Sequence, residues 1–579
     1  MMNLILQSGL YIIILIVLAI PLGKYIGKIM NGEKVFLSKL IEPLENLIYK
    51  ILRVDKNEEM TWKKYALSAL IFSGICFVFL FLLHLLQGVL PLNPEGVPGT
   101  SWHLAFNNTA SFVTNTNWQS YSGESTLSYL TQMLGLTVQN FVSAAVGISV
   151  LFALIRGFVR VKKEGLGNFW TDVTRNILYV LLPLSIVISI GIASQGVVQS
   201  FKSYDTVSLL EPITLEDGTI VEEAVVPLGP AASQVAIKQV GTNGGGFFGV
   251  NSAHPLENPN GLTNILEMLS ILLIPVALCF TFGRNVGDKR QGRAIFLAML
   301  IVLLLAAVGI ILSEQGGTPQ LAQNGLVDMT TVNQAGGNME GKESRFGIAS
   351  SGMWTAFTTA ASNGSVNSMH DSYTPFGGMI AMLLMQLGEV IFGGVGCGLY
   401  GMLGFALLTV FISGLMVGRT PEYLGKKIEP FEMKMAVIVC LATPVAILIG
   451  SGIATLLPSV ANSLNNSGPH GLSEILYAYS SAGGNNGSAF AGFNANTVFL
   501  NISIGLIMLF VRFAPMVATL AIGGSLAKKK KIATSEGTLC THNAMFVGLL
   551  VFVVLLIGAL SFFPALSLGP IAEYFQMMH

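Results

Sequence analysis

Four short polar segments recur at near-equal intervals through a strongly apolar chain. Each has a central asparagine and lies between a short apolar stretch and a long one. Small polar residues and glycines let backbone carbonyl groups face a common axis, where these groups can replace the water around a cation. We therefore predict four loops that converge on one ion path. The segments are Thr114-Asn115-Thr116, Thr242-Asn243-Gly244, Ser362-Asn363-Gly364 and Asn485-Asn486-Gly487.

The residue types of the four segments indicate which ion they would hold. None of them contains a carboxylate, whereas a calcium or magnesium site would use several acidic oxygens. This favours a weakly held monovalent cation such as K⁺. In this alignment Thr116 stands where the other three segments have glycine. The predicted filter residues are Val113, Thr114, Asn115, Thr116, Thr242, Asn243, Gly244, Gly245, Ser362, Asn363, Gly364, Ser365, Asn485, Asn486, Gly487 and Ser488. The alternative is that the segments are ordinary polar turns in outer loops.

The composition of the chain is that of a protein embedded in a lipid bilayer. Of its 579 residues 52% are hydrophobic and only 11% are charged, where soluble domains have about 25%. The net charge of zero gives no reason to expect a nucleic-acid partner. The sequence contains no CxxC pair, no HExxH, no Walker lysine motif and no Asp-Lys-Thr phosphorylation signature. We therefore expect no catalytic residue and no organic cofactor in this chain.

Ten segments are long and apolar enough to cross a membrane: 7–28, 65–90, 127–158, 173–198, 261–284, 293–314, 377–418, 433–458, 495–520 and 544–568. Most lysines and arginines fall in alternate connections, namely 24–64, 156–175, 284–293, 419–434 and 528–531. The positive-inside rule places these connections in the cytoplasm. Both termini would then lie outside, which is consistent with ten crossings of the membrane.

Short helical stretches precede the four polar segments, at 101–113, 229–241, 350–361 and 471–482. They are too short to span a membrane and fit re-entrant helices. The predicted fold is an all-α polytopic membrane protein with ten transmembrane helices. It has four helix–pore loop–helix repeats around a pseudo-fourfold axis and one extra helix at each end. The repeats cover 65–160, 173–292, 293–427 and 428–522. Residues 1–64 form the first helix and a cytoplasmic loop, and residues 523–579 form the last helix.

The segment 377–418 is too long for one straight span, and its glycines Gly393, Gly394, Gly396 and Gly398 predict a break. Two charges lie inside apolar segments, Glu389 ahead of the break and Arg512 in 495–520. Buried charges are costly, so we predict that the two neutralise each other. The alternative is that Arg512 extends to the cytoplasmic interface.

The chain resembles the potassium-translocating subunit of the bacterial Kdp pump over essentially its whole length. The strings that match are Gly241-Thr-Asn-Gly-Gly-Gly-Phe-Phe248, Asn251-Ser-Ala-His-Pro255, Ser362-Asn-Gly-Ser-Val-Asn-Ser-Met-His-Asp371, Gly418-Arg-Thr-Pro-Glu-Tyr-Leu-Gly-Lys-Lys427 and Asn485-Asn-Gly-Ser-Ala-Phe-Ala-Gly492. The resemblance implies a gating loop at the glycine-rich break. It also implies a charge pair of Glu389 and Arg512 near an internal cavity, with Arg419 opening a cytoplasmic loop.

The same resemblance implies the partners of the chain. They are a P-type ATPase subunit that hydrolyses ATP, a single-span accessory subunit and a small one-helix peptide. Potassium would be selected from outside and would pass through a tunnel between subunits to the ATPase. The alternative is a passive or ion-coupled potassium transporter with the same four loops. The strings at 362–371 and 418–427 favour the pump. A scaffold with a degenerate pore is disfavoured, because every segment keeps its small polar residues.

Overall fold

The computed structural model describes residues 2–215, 217–320, 330, 336–416, 418, 420–532 and 538–578. Within these ranges ten helical stretches are long and apolar enough to cross a membrane. Their bounds are Ser8–Met30, Trp62–Val89, Thr131–Val159, Phe169–Ala193, Gly261–Asn285, Lys289–Gly316, Cys397–Met416, Pro430–Thr455, Val498–Lys528 and Ala544–Met578. The predicted polytopic helical fold is confirmed, and each stretch overlaps a predicted segment.

Three of these spans are built from more than one kind of helix. A π-helix at Thr131–Thr137 precedes the α-helix Val138–Val159. The fourth span joins Phe169–Arg175, a π-helix Asn176–Leu181 and Leu182–Ala193. The last span joins Ala544–Leu566, a π-helix Ser567–Ile571 and Ala572–Met578. The first span begins at Met2 as a helix.

Four short helices lie between successive pairs of spans, as predicted. We number them short helix 1 to 4: Trp102–Val113, Ala231–Val240, Gly347–Ala360 and Gly468–Gly483. In the last turns of each, polar and apolar residues alike are buried. Short helices with their polar faces buried in protein are tolerated at membrane depth, because they face other backbone rather than lipid. Each of them ends directly at one of the predicted loops.

The long segment 377–418 is interrupted, which confirms the predicted break. It consists of the helices Pro375–Gln386 and Cys397–Met416 with a non-helical connection, 387–396, between them. Glu389 and Phe392 have positive φ angles of 59° and 64°, and Gly393 and Gly396 have 57° and 85°. Residues with side chains rarely adopt this conformation, so surrounding contacts must hold the connection in place.

The structure contains elements that the all-α prediction did not include. The amphipathic helix Ser38–Leu52 lies in the first basic connection. The strands Asp205–Thr214 and Ile220–Val226 pair antiparallel, with an irregularity between Ser208 and Ile213. A second hairpin pairs Glu422–Tyr423 with Lys426–Lys427. Short turns complete the connections: Gln87–Val89, Gly123–Thr126, Asn251–Ala253, His370–Ser372 and Pro458–Ala461.

The basic connections meet on one face of the molecule. Arg160 forms an ion pair with Glu59 at 2.5 Å. The ammonium group of Lys426 donates to the carbonyl oxygens of Arg160 and Lys529, at 2.6 and 2.8 Å. Gln291 donates to Thr541 at 2.9 Å and so joins the third connection to the last. This common face is the one that the charge pattern assigns to a single side of the membrane.

Candidate cation filter and gate

The four loops share one hydrogen-bonding pattern at the end of their short helices. In each loop, one backbone N–H donates to the carbonyl oxygen five residues earlier. The donor–acceptor pairs are Thr116–Ser111 (2.9 Å), Asn243–Lys238 (2.8 Å), Asn363–Thr358 (3.0 Å) and Asn486–Ser481 (2.8 Å). The repetition shows that the four polar segments are structurally equivalent, and it fixes how they align. We call the aligned segments loop 1 (114–117), loop 2 (241–244), loop 3 (361–364) and loop 4 (484–487).

Backbone dihedral angles give the same alignment. The second residue of each loop has a positive φ: Asn115 (67°), Thr242 (49°), Ser362 (50°) and Asn485 (42°). The fourth residue does too: Asn117 (56°), Gly244 (69°), Gly364 (88°) and Gly487 (102°). The predicted alignment of the first segment is therefore wrong by one residue. Asn117, not Thr116, stands at the glycine position, because asparagine is among the few side-chain residues that adopt this conformation.

The loops contact one another in a ring. A methyl group added at Gly244 would collide with the carbonyl oxygen of Asn363 in the next loop. The same holds for Gly364 against Asn486, and for Gly487 against Thr116. Loop 1 meets loop 2 through Asn117, whose side-chain amide donates to the Gly244 carbonyl at 3.0 Å. The carbonyls of Thr116, Asn363 and Asn486, which are equivalent in the alignment, thus each lie against a glycine of a neighbouring loop.

Side-chain amides of the loops fasten each loop to its neighbours. Asn363 donates to the Lys238 carbonyl at 3.0 Å, and Asn486 donates to the Thr358 carbonyl at 2.7 Å. Both acceptors belong to the last turn of the preceding short helix. In loop 1 the amide of Asn115 donates to the Thr242 carbonyl at 2.9 Å. The amide nitrogens of these asparagines therefore bind protein, whereas the side-chain oxygens of Asn117, Asn243 and Ser362 have no hydrogen-bond partner among the described residues.

Residues next to the loops hold them from outside. Ser365 donates to Gln239 at 2.9 Å, and its carbonyl accepts from the indole N–H of Trp354 at 2.8 Å. Ser488 is hydrogen-bonded to the hydroxyl of Tyr477 at 2.8 Å. The sequence prediction included Ser365 and Ser488 but missed Trp354 and Tyr477. Both aromatic residues lie within the short helices, and nothing in the local sequence indicates that they reach the loops.

The remaining predicted filter residues also lie at this centre. Val113 is the last residue of short helix 1 and is buried. Thr114 follows it, and its hydroxyl is 2.7 Å from that of Thr116. Gly245 has a φ of 71° and lies against Asn117. The structure thus brings together all the residues predicted from the four segments.

A cavity of about 420 Å³ lies against loops 3 and 4. Its lining includes Gly364 of loop 3 and Gly487 of loop 4, together with Asn251, Lys342 and His370. Burial lowers the pKa of His370 to about 3, and Lys342 adds to this effect. His370 therefore stays neutral and adds no positive charge to the entrance of the loops at neutral pH.

The connection 387–396 lies directly against the loops. The Val395 N–H donates to the Thr242 hydroxyl of loop 2 at 2.8 Å. The Gly393 N–H donates to the Ala360 carbonyl at the end of short helix 3, at 3.1 Å. A methyl group at Gly396 would collide with the Gly147 carbonyl. These contacts of the connection 387–396 explain why the helix is interrupted between Gln386 and Cys397, since a continuous helix could not form them.

Glu389 and Arg512 make no direct contact, although the two charges attract each other over a longer distance. Arg512 is buried and donates to the Cys397 sulfur at 2.6 Å and to the Ser143 carbonyl at 3.2 Å. Among the described residues no salt bridge within 4.0 Å joins it to Glu389. The arginine does not extend to an interface either. Glu389 belongs to the connection, where a methyl group at Gly394 would lie 3.4 Å from its Oε2, and Arg512 contacts Cys397, the residue that follows the connection. Arg419 lies outside the described residues.

In the described part of the chain, ten helices fit for crossing a membrane accompany four short helices that end in mutually contacting loops, the architecture of a pore-loop membrane transport protein. A family model described as Potassium-transporting ATPase A subunit matches residues 9–575. The chain belongs to this family, which confirms the resemblance recognised in the sequence.

Curated relatives agree over their entire lengths. The chain is 76% identical over 578 residues to the potassium-transporting ATPase potassium-binding subunit of Clostridium botulinum (strain Eklund 17B / Type B), with 100% of both chains covered. It is 73% identical over 578 residues to the subunit of the same name from Clostridium perfringens, again over 100% of both chains. In fold the chain is similar to the potassium transporter TrkH from Vibrio parahaemolyticus. That match has a TM-score of 0.50 and 12% identity, and covers 80% of this chain and 85% of TrkH.

Proposed function

We propose that the chain is the potassium-binding subunit of an ATP-driven potassium uptake pump and that loops 1 to 4 form its filter. The observation that carries this proposal is the ring of contacts in which Gly244, Gly364 and Gly487 each abut a carbonyl oxygen of the next loop. Such a ring supplies backbone oxygens from four directions, as a dehydrated cation requires. The names of the curated relatives support potassium as the ion.

The electrostatics of the site favour a monovalent cation. The four loops contain no carboxylate, so binding relies on carbonyl dipoles, which hold a cation weakly enough to release it. Each short helix ends at its loop, and the negative end of the helix dipole therefore lies next to the filter. Both features favour K⁺ over a divalent ion.

Below the filter, the connection 387–396 is proposed as the gating loop. Its hydrogen bonds to Thr242 and Ala360, which join it to loop 2 and to the end of short helix 3, support this proposal. The fixed positive charge of Arg512 beside it repels K⁺ from a straight path inward. Potassium would instead turn into a tunnel toward a P-type ATPase subunit, where ATP is hydrolysed. A single-span accessory subunit and a one-helix peptide complete the proposed complex.

In the proposed topology, the chain lies in the bacterial cytoplasmic membrane with its basic connections in the cytoplasm and both termini outside. The charge pattern and the common face formed by Arg160, Lys426 and Lys529 support this orientation. The cavity against loops 3 and 4 would then receive K⁺ from the extracellular medium.

A passive or ion-coupled transporter is the second candidate, and the fold similarity to TrkH favours it. Co-purification from membranes distinguishes the two. The pump predicts a complex with an ATPase whose ATP hydrolysis rises with K⁺. In that complex, Gly364→Asp should weaken K⁺ activation, because it puts a carboxylate in the carbonyl ring. Gly548→Ala is the matched control, since no atom lies near an added methyl group there. K⁺ flux by the chain alone, without an ATPase, would instead support the transporter.

A further inference from the structure

Loop 2 differs from the other three at the residue that anchors it. The carbonyl acceptors five residues before the loop centres belong to Ser111, Lys238, Thr358 and Ser481. Three of these carry a hydroxyl, and two of the hydroxyls accept a loop N–H: Thr358 from Gly364 and Ser481 from Gly487, both at 2.9 Å. At the equivalent place in loop 2 the chain has a lysine, and Gly244 donates to its backbone carbonyl instead, at 3.0 Å.

The side chain of Lys238 is enclosed by protein. It is 1% exposed, and its ammonium group forms an ion pair with Glu257, which is 0% exposed. It also donates to Asn251 Oδ1 at 2.9 Å. The second oxygen of Glu257 accepts the Phe248 N–H at 2.9 Å. Among the described residues, Glu257 is the one carboxylate in contact with this ammonium group.

A positive charge at this place would oppose potassium binding. Lys238 belongs to the last turn of short helix 2, and its carbonyl accepts from Asn243 and from Gly244 of loop 2. Asn251, which accepts from the ammonium group, lines the cavity against loops 3 and 4. The charge therefore lies beside loop 2 and directly behind a residue that lines the cavity. Buried there, it is little screened by water or salt and would repel a second cation.

We propose that Glu257 is a positioning residue for potassium binding, the counter-ion that cancels the charge of Lys238 beside the filter. The pair lets the chain keep a buried lysine at the position whose backbone carbonyl anchors loop 2, without a net positive charge at the ion path. This proposal rests on the proposed filter. A purely structural pair would instead matter only for folding, and removing either partner would then have the same effect.

The test compares charge-changing variants in the purified pump complex. The K⁺ concentration for half-maximal ATPase activation and the K⁺-dependent rise in melting temperature are measured for Glu257→Gln, Lys238→Met and the double variant. Glu257→Gln leaves the ammonium group unpaired, and we expect K⁺ to bind on the order of tenfold more weakly. Lys238→Met removes the repelling charge, so K⁺ binding should be as tight as in the parent or tighter. The double variant should lie near the parent.

Asp172→Asn is the matched control. It removes the carboxylate of another largely buried pair, Arg156–Asp172 at 2.6 Å, on the face of the basic connections. It should lower the melting temperature without changing the K⁺ dependence. The proposal would be overturned if Glu257→Gln and Lys238→Met weakened K⁺ binding equally. If Glu257→Gln does not assemble, Lys238→Met decides alone, and weaker K⁺ binding in that variant would overturn the proposal. A parent complex without any response to K⁺ would refute the filter itself, which is a different result.

Discussion

Gly487 of loop 4 packs against the carbonyl oxygen of Thr116 in loop 1, so the last repeat of the chain closes on the first. A second contact supports the closure, since the Asn485 amide donates to the Thr116 hydroxyl at 2.8 Å. The two loops are far apart in sequence, and the spans between them must fold before they meet. The carbonyl positions in loops 1, 3 and 4 therefore depend on the missing side chain of a glycine in a neighbouring loop.

This closure predicts the effect of Gly487→Ala. The new methyl group would collide with the Thr116 oxygen, and alanine would have to adopt a φ near 102°. We expect the variant to assemble but to need at least tenfold more K⁺ for half-maximal ATPase activation. Gly548→Ala, in a span where the added methyl group meets no atom, serves as the control and should match the parent. Parental K⁺ activation in Gly487→Ala would show that loops 1 and 4 do not close the ring.

The sequence predicts the spans and short helices well, because hydropathy and length decide them. The alignment of the first loop predicted from the sequence is wrong. It is based on the glycines of the other three loops, whereas the backbone requires only a residue that adopts a positive φ at this position. Asn117 meets that requirement and adds hydrogen bonds to Asn140 and Gly244, at 2.7 and 3.0 Å. The sequence also gives no indication that Trp354 and Tyr477 contact the loops, since contacts between residues distant in sequence produce no local sequence pattern. Arg512 was identified as a buried charge, yet its partners Cys397 and Ser143 depend on tertiary packing.

The glycines of the proposed gating loop should not respond alike to alanine. Gly394 has no positive φ, and a methyl group added there would come no closer than 3.4 Å to another atom. Gly396 has a φ of 85° and abuts the Gly147 carbonyl. We expect Gly394→Ala to keep parental potassium uptake and Gly396→Ala to lose most of it. Uptake in cells that depend on this pump, corrected for the amount of complex in the membrane, measures the difference. Equal uptake by both variants would argue against a fixed conformation at 387–396.

Arg512 should couple to Cys397 more strongly than to Glu389. The guanidinium group contacts the Cys397 sulfur at 2.6 Å, whereas its interaction with Glu389 acts over a longer distance. Two double-mutant cycles test this, one with Arg512→Gln and Cys397→Ala, the other with Arg512→Gln and Glu389→Gln. We expect a coupling energy of about 1 kcal/mol in the first cycle and a smaller one in the second, from potassium-stimulated ATPase activity. A larger coupling to Glu389 would mean that the two charges pair directly in the working pump.

His470 joins the start of short helix 4 to the end of the chain. Its Nε2 lies 2.9 Å from Asp371 and its Nδ1 lies 2.8 Å from Glu573. Glu474 is also near, and the three ligand atoms of Asp371, His470 and Glu474 lie within 4.8 Å of one another. The oxygens of Glu474 already accept N–H groups of Asn465 and Asn466, at 2.9 Å. With both ring nitrogens facing carboxylates, the imidazolium form fits this site.

We call His470, Asp371 and Glu573 the His470 clamp. This clamp predicts how the stability of the folded protein depends on pH. Burial alone would lower the pKa of His470, but the hydrogen bonds to Asp371 and Glu573 raise it to about 10. An unfolded histidine has a pKa of about 6.5. A folded-state pKa above the unfolded value means that the stabilisation is complete below about pH 6.5 and is lost as the pH rises to about 10. The melting temperature of the parent should therefore fall more steeply between pH 7 and 10 than that of His470→Gln, and the two should converge near pH 10. His103→Gln, at a histidine outside this clamp, should keep the parental slope. Parallel curves for the parent and His470→Gln would show that His470 is not held as a cation.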